Sequence, residues 1–155
     1  MIRIGTGYDV HRLVPERRLV LCGVEIPSDL GLLGHSDADV AVHALMDAIL
    51  GALAMGDIGK LFPDSDPQYK GADSMKLLAE VIHRMEGAGF RLGNLDLTII
   101  AERPKLAKHI PAMRESLAAA FSCDISQVSV KATTEEGLGL AGAGIGTQAA
   151  VLLEK

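Results

Sequence analysis

No tryptophan occurs among the 155 residues, and the aromatic complement is two tyrosines and three phenylalanines. Basic residues are not in excess either: 15 Lys and Arg face 20 Asp and Glu, a formal charge of −5. A chain so short of stacking platforms and positive charge is unsuited to generic nucleic-acid binding. It is not unsuited to a phosphorylated small molecule, because one local metal ion outweighs a modest net charge. Cysteine is scarce, and Cys22 and Cys123 form no CxxC pair, so both read as free thiols of a reducing cytoplasm. Long apolar runs are missing: the longest, Val40 to Met55, is interrupted by His43 and Asp47 and is too short to span a bilayer. The opening MIRIGTGYDVHR has no basic stretch leading into an apolar core, so it does not read as a signal peptide. With 48% hydrophobic and 23% charged residues, disorder, collagen-like repeats and a coiled coil are excluded. The expectation is a single soluble domain over 1–155, in a bacterial cytoplasm more simply than in a plastid stroma.

Strand, loop and helix signals mix without regular alternation. Ile2 to Leu13 reads as a strand enclosing Gly5 and Gly7, and residues 18–26 as a short hairpin around Gly23. GLLGHSD reads as a glycine-punctuated loop opening a helix from Asp37 to Met55, capped by Ser36 or Asp37. Residues 56–71 read as a loop long enough to be functional or mobile. A second helix is expected from about Asp73 to Gly87, with Met75, Leu78, Ala79, Ile82 and Met85 on one face. A third spans 111–122, with strands at LDLTIIAE, VSVKATT and TQAAVLLE. This order predicts an α+β fold, a two-layer sandwich of a mixed β-sheet covered by helices.

Two sets of residues stand out chemically. Asp9 and His11, one residue apart on a strand, share a face and could chelate a borderline metal; for these two residues alone a surface Asp–His hydrogen bond near a strand end is the simpler reading. Asp39, His43 and Asp47 recur at i, i+4, i+8 on an otherwise apolar helix, where neighbouring acids could hold the second ring nitrogen of His43. If His43 joins Asp9 and His11, three protein ligands leave a fourth position open, as in a catalytic zinc site. His35 and Ser36 stand at the mouth of that helix, where unpaired backbone amides favour anions, although capping alone would account for Ser36. Gly137, Gly139 and Gly142 match GxGxxG, but too few residues follow to build a dinucleotide fold, and a tight glycine turn between strands is the better reading. Glu135 and Glu136 beside it would repel phosphates unless a hard cation lay between.

The ordered blocks GYDVHR (7–12), LGHSDADV (33–40), GDIGKLFPDSDP (56–67), KGADS (70–74), PKL (104–106), HIPAMR (109–114) and VKATT (130–134) resemble the 2-C-methyl-D-erythritol 2,4-cyclodiphosphate synthase family. The resemblance covers nearly the whole chain. It implies cyclisation of 4-diphosphocytidyl-2-C-methyl-D-erythritol 2-phosphate, with release of CMP, in the non-mevalonate route to isoprenoid precursors. It implies zinc on Asp9, His11 and His43, magnesium or manganese on Glu136, and transition-state stabilisation by His35 and Thr134. Ser36, Asp57, Ile58 and Gly59 would contact the methylerythritol phosphate, under a mobile loop of Phe62, Pro63, Asp64, Ser65 and Asp66. Ala101, Glu102, Arg103, Pro104, Lys105, Leu106 and Ala107, with Thr133, would form the cytidine pocket, and Glu135 completes the substrate contacts. The family is homotrimeric, with active sites between subunits, so no nucleic-acid or membrane partner is implied.

The chain departs from the family near its C-terminus, where Leu140, Ala143 and Ile145 stand in place of an aromatic residue, an arginine and a glutamate. A more apolar central channel, without isoprenoid-diphosphate regulation, is the expectation. Two other readings use the same residues: a zinc-dependent nucleotide-diphosphate phosphohydrolase, and a non-catalytic trimeric ligand-binding module.

Overall fold

The computed structural model describes residues 1–155. In chain order the elements are β1 (Ile2–Pro15), β2 (Leu19–Leu21), β3 (Val24–Ile26), β4 (Leu30–Leu32), α1 (Val40–Ala52), α2 (Ile58–Leu61), α3 (Ser74–Gly87), β5 (Arg91–Ile100), α4 (Ile110–Phe121), β6 (Val128–Thr133) and β7 (Gly144–Glu154). Five strands form one sheet in the order β4-β1-β7-β5-β6. All pairings are antiparallel except β5 with β6, so the sheet is mixed. The hairpin β2–β3 stands apart and turns through Cys22 and Gly23, both at positive φ (54° and 75°).

Glycine sets how β1 meets α1. Along β1, Ile2, Ile4, Thr6, Tyr8 and Val10 are exposed, while Gly5, Gly7, Asp9 and His11 take the alternate, more buried positions. A Cβ at Gly5 or Gly7 would overlap the carbonyl oxygen of Ala48 or Ala44, so α1 lies closer to the strand than any larger residue would permit. All of α1 is buried except His43, Asp47 and Gly51, leaving a narrow polar stripe on a core helix. Leu45, Met46 and Ile49 of α1 share one core with Leu78 of α3 and Leu95, Leu97 and Ile99 of β5. The fold is α+β, a mixed sheet with helices against one face.

Several boundaries move from the sequence expectation. Helix α1 begins at Val40, not Asp37, because Ala38 is left-handed (φ 57°) and Asp39 supplies the cap, accepting from Val42 N–H. GLLGHSD is not all loop: Leu30–Leu32 pairs with Leu13–Pro15 and lengthens β1 past Leu13. The 56–71 segment holds α2 and a 3-10 turn at Pro67–Tyr69, each capped by an aspartate, Asp57 and Asp66. The glycines near the C-terminus lie in a loop over 134–143, longer than a tight turn, and a strand rather than a helix follows it.

Candidate active site

β1 and α1 bring Asp9, His11 and His43 together, with one ligand atom from each lying within 4.8 Å of the others. It is the only cluster of three or more such groups in the chain. Asp9 Oδ2 lies 2.9 Å from His11 Nε2 and 3.2 Å from His43 Nδ1. Each imidazole is held from behind. His11 Nδ1 donates to the Leu33 carbonyl at 2.7 Å, and His43 Nε2 meets the hydroxyls of Ser36 (3.1 Å) and Ser74 (3.0 Å). Burial pushes the Asp9 carboxyl up, but hydrogen bonds from both imidazoles outweigh it and bring the pKa down to about 2. Burial likewise pushes His11 down, and its bond to Asp9 reverses the sign, leaving the imidazole above its ordinary value. One carboxylate oxygen and two imidazole nitrogens, with both second nitrogens fixed, suit a divalent ion of borderline softness.

These three side chains open on a cleft of about 260 Å³, whose walls also carry Gly34, His35, Ser36, Met46, Ile58, Gly59, Phe62, Asp64, Tyr69 and Leu77. His35 Nε2 is buried and has no hydrogen-bond partner. Asp57, Pro63, Ser65 and Asp66 lie outside these walls. The Asp57 carboxylate accepts from Lys60 N–H, and Asp66 accepts from the backbone and side chain of Gln68. Asp47 holds the entry of α2, accepting from Ile58 N–H at 2.8 Å.

Ala101, Glu102, Pro104, Lys105, Leu106, Ala107, Thr133 and Thr134, with Ala132, line a separate cleft of about 190 Å³. Arg103 instead reaches a third cleft with Leu13 and Asp29. Glu102 braces the loop after β6, accepting from Glu135 N–H (3.1 Å) and Gly137 N–H (3.3 Å). Glu135 itself accepts from Ala141 N–H, and Glu136 is exposed, with Thr134 Oγ1 3.5 Å away. Within one chain, therefore, the residues split into two sets in separate clefts. Of the C-terminal departures, Leu140 is exposed, but Ile145 is fully buried in the core and so faces no channel.

Sequence reasoning placed the acids beside His43 wrongly. Asp39 is completely buried and accepts from Cys22, Gly23 and Val42 N–H groups, while Asp47 turns to Ile58. The hydroxyls of Ser36 and Ser74 occupy the second nitrogen instead, and Met46, Tyr69 and Leu77 were also missed. The i, i+4 rule sees only one helix; Ser74 comes from another element, and nothing in its local pattern marks it.

The YgbB family model matches residues 2–154. A 2-C-methyl-D-erythritol 2,4-cyclodiphosphate synthase of Syntrophotalea carbinolica is 63% identical over 157 residues, covering 100% of this chain and 96% of the relative. A solved 2C-methyl-D-erythritol-2,4-cyclodiphosphate synthase in a CDP-bound form superposes with a TM-score of 0.92 at 42% identity, covering 98% of this chain and 100% of that one. The bifunctional IspDF of Campylobacter jejuni superposes with a TM-score of 0.95 at 42% identity, covering 99% of this chain but only 42% of the longer protein.

Proposed function

The chain belongs to the YgbB family, and on that footing we propose that it converts 4-diphosphocytidyl-2-C-methyl-D-erythritol 2-phosphate into CMP and 2-C-methyl-D-erythritol 2,4-cyclodiphosphate, the product that its relatives' names give. The observation that carries the reading is the meeting of Asp9, His11 and His43 on the wall of the cleft that also holds His35 and Ser36.

In this reaction an oxygen of the 2-phosphate attacks the β-phosphorus of the same molecule, and the departing CMP keeps the electron pair of the broken P–O bond. The nucleophile is already an anion, so no side-chain base is needed. What the protein supplies is a folded substrate, and such proximity is worth roughly 7–11 kcal/mol of barrier. Zinc held by Asp9, His11 and His43 would act as a Lewis acid toward a phosphate oxygen. His35 lines the cleft, and its Nε2, which has no partner in the protein, would donate to the substrate's phosphates once turned toward them. Ser36 Oγ accepts from Ala38 N–H at 3.1 Å and lies as close to His43, which leaves its proton for an anionic oxygen in the cleft. Ile58, Gly59 and the Phe62–Asp66 segment cover the methylerythritol end, with Asp57 shaping the turn of α2. The cleft of Ala101, Glu102, Pro104 to Ala107 and Thr133, without Arg103, takes the cytidine, and Thr134 steadies the diphosphate. Glu136 would hold magnesium or manganese together with phosphate oxygens, in keeping with the habit of magnesium to use one or two carboxylates.

The two clefts of one chain complete a single site only if a neighbouring subunit brings its cytidine cleft to this metal cleft. A homotrimer does so, and the bare sheet face carrying Ile2, Ile4, Tyr8 and Val10 supports that assembly. Phosphorus NMR of the protein with its substrate, zinc and magnesium tests the reading, beside His43→Ala. Coupled diphosphate signals of a cyclic product with stoichiometric CMP, absent in the variant, are expected. Linear phosphates would make it a hydrolase, and ligand binding without turnover would make it a binding module.

A further inference from the structure

Ser74, the first residue of α3, is fully buried, so its hydroxyl has no water to turn to. Its oxygen lies 3.0 Å from His43 Nε2, and its proton goes to the carboxylate of Asp37, which also accepts from Ser74 N–H at 3.0 Å. A serine hydroxyl has one proton. Once that proton is given to Asp37, the oxygen can only accept from the imidazole, and Nε2 must carry hydrogen. Nδ1, on the opposite side of the ring and 3.2 Å from Asp9 Oδ2, is then the nitrogen that faces the ion.

We propose that Asp37 and Ser74 form a positioning relay for His43, from carboxylate to hydroxyl to imidazole, which presents Nδ1 of His43 to the metal. This rests on the metal reading of Asp9, His11 and His43. Asp37 is well placed to anchor such a relay because its own N–H donates to the Ala72 carbonyl at 3.0 Å, and the loop before it is held where Gly71 N–H donates to the His35 carbonyl at 2.8 Å. The relay thus ties the metal ligand on α1 to the segment that leads into α3. Ser36 differs from Ser74 although both touch Nε2. It is only partly buried, lines the cleft, and keeps its proton for a ligand. Positioning belongs to Ser74 and substrate contact to Ser36. His11 needs no such relay, because the Leu33 carbonyl does the same work directly. Partners of this kind typically contribute 10–100-fold to metal affinity.

The test titrates zinc alone into metal-free wild type, Ser74→Ala, Ser74→Thr, Asp37→Asn and Ser36→Ala against a chromophoric chelator, with proton NMR of each cobalt-loaded protein. Wild type should show two shifted, exchangeable ring N–H signals, from His11 and His43. Ser74→Ala should bind zinc roughly 10–100-fold more weakly and lose or broaden the His43 signal, while the His11 signal persists as an internal control. Asp37→Asn should change in the same direction, and Ser74→Thr, which keeps the hydroxyl, should restore both readouts. Ser36→Ala should retain zinc affinity and instead raise KM. Zinc affinity and both ring signals unchanged in Ser74→Ala and Asp37→Asn would overturn the relay alone. A wild-type protein that takes up neither zinc nor cobalt would overturn the metal reading and the relay with it. Should Ser74→Ala not fold, Asp37→Asn and Ser74→Thr decide the matter.

Discussion

Gly7 of β1 lies directly beneath the carbonyl of Ala44 in α1, with no room for a single methyl group between them. The contact sits beside the Asp9–His11–His43 cluster, two residues before Asp9 on the strand and one residue after His43 on the helix. Gly7→Ala must push α1 off the sheet against backbone, which no rotamer change can relieve. We expect a loss of at least about 2 kcal/mol in urea unfolding, together with weaker zinc binding as His43 is carried away from Asp9. An alanine variant of wild-type stability would show that the helix can slide at no cost.

Much of this was legible in the sequence because it is written in local periodicity. Alternation along β1 placed Asp9 and His11 on one face, and the apolar helix from Val40 exposed His43 on a polar stripe. What local pattern could not show is which distant groups complete each bond. Asp39 looked like a neighbour for His43, yet it faces the β2–β3 turn, where Cys22 and Gly23 at positive φ offer two backbone N–H groups for a buried carboxylate. The strand at Leu30–Leu32 was hidden for the same reason: three residues carry no period, and pairing with β1 alone makes them a strand. Family likeness already implied that the metal side and the cytidine side come from different chains, and the two separate clefts of one chain agree with that.

The ionisation of the Asp9–His11–His43 cluster fixes a pH signature. Asp9, brought down to about 2 from 3.8, adds stability to the metal-free protein that is present above pH 3.8 and lost as pH falls toward 2. Allowing for its partial exposure, the contribution is about 1–2 kcal/mol. His11 is raised, so its share is full below 6.5 and fades as pH climbs through its folded value. Denaturant midpoints of metal-free protein should therefore fall steeply between pH 4 and 2, and Asp9→Asn should flatten that slope. Zinc must displace the His11 proton, so zinc affinity should decline with acidification from above pH 6.5, a trend that calorimetry in buffers of different ionisation enthalpy reads as proton release.

Thr147 faces Asp9 across the β1–β7 ladder, and its hydroxyl is buried with no hydrogen-bond partner. An unpaired buried hydroxyl costs about 1–3 kcal/mol of desolvation, and valine fills the same volume without it. Thr147→Val should accordingly raise stability by about 1 kcal/mol, some 2–4 °C in melting temperature for a domain of this size. A lower melting temperature would mean that the hydroxyl is satisfied in solution by an ordered water.

The sheet face turned away from the helices tests the assembly. Ile2, Ile4 and Tyr8 are 67%, 75% and 56% exposed there, and Leu138 on the loop before β7 is 90% exposed. Side chains so apolar are costly to leave in water, and three copies closing on this face would bury them. Sedimentation should give a mass near three times the 16.3 kDa of one chain. Ile4→Asp should yield monomers, because a carboxylate in that contact would be buried without a partner. Since Asp9, His11 and His43 come from one chain, each monomer should still bind one zinc. Turnover should nonetheless disappear if, as proposed, the cytidine cleft is supplied by a neighbour. A zinc-loaded monomer that still releases CMP would place both halves of the site within a single subunit, and the shared-site arrangement would have to be abandoned.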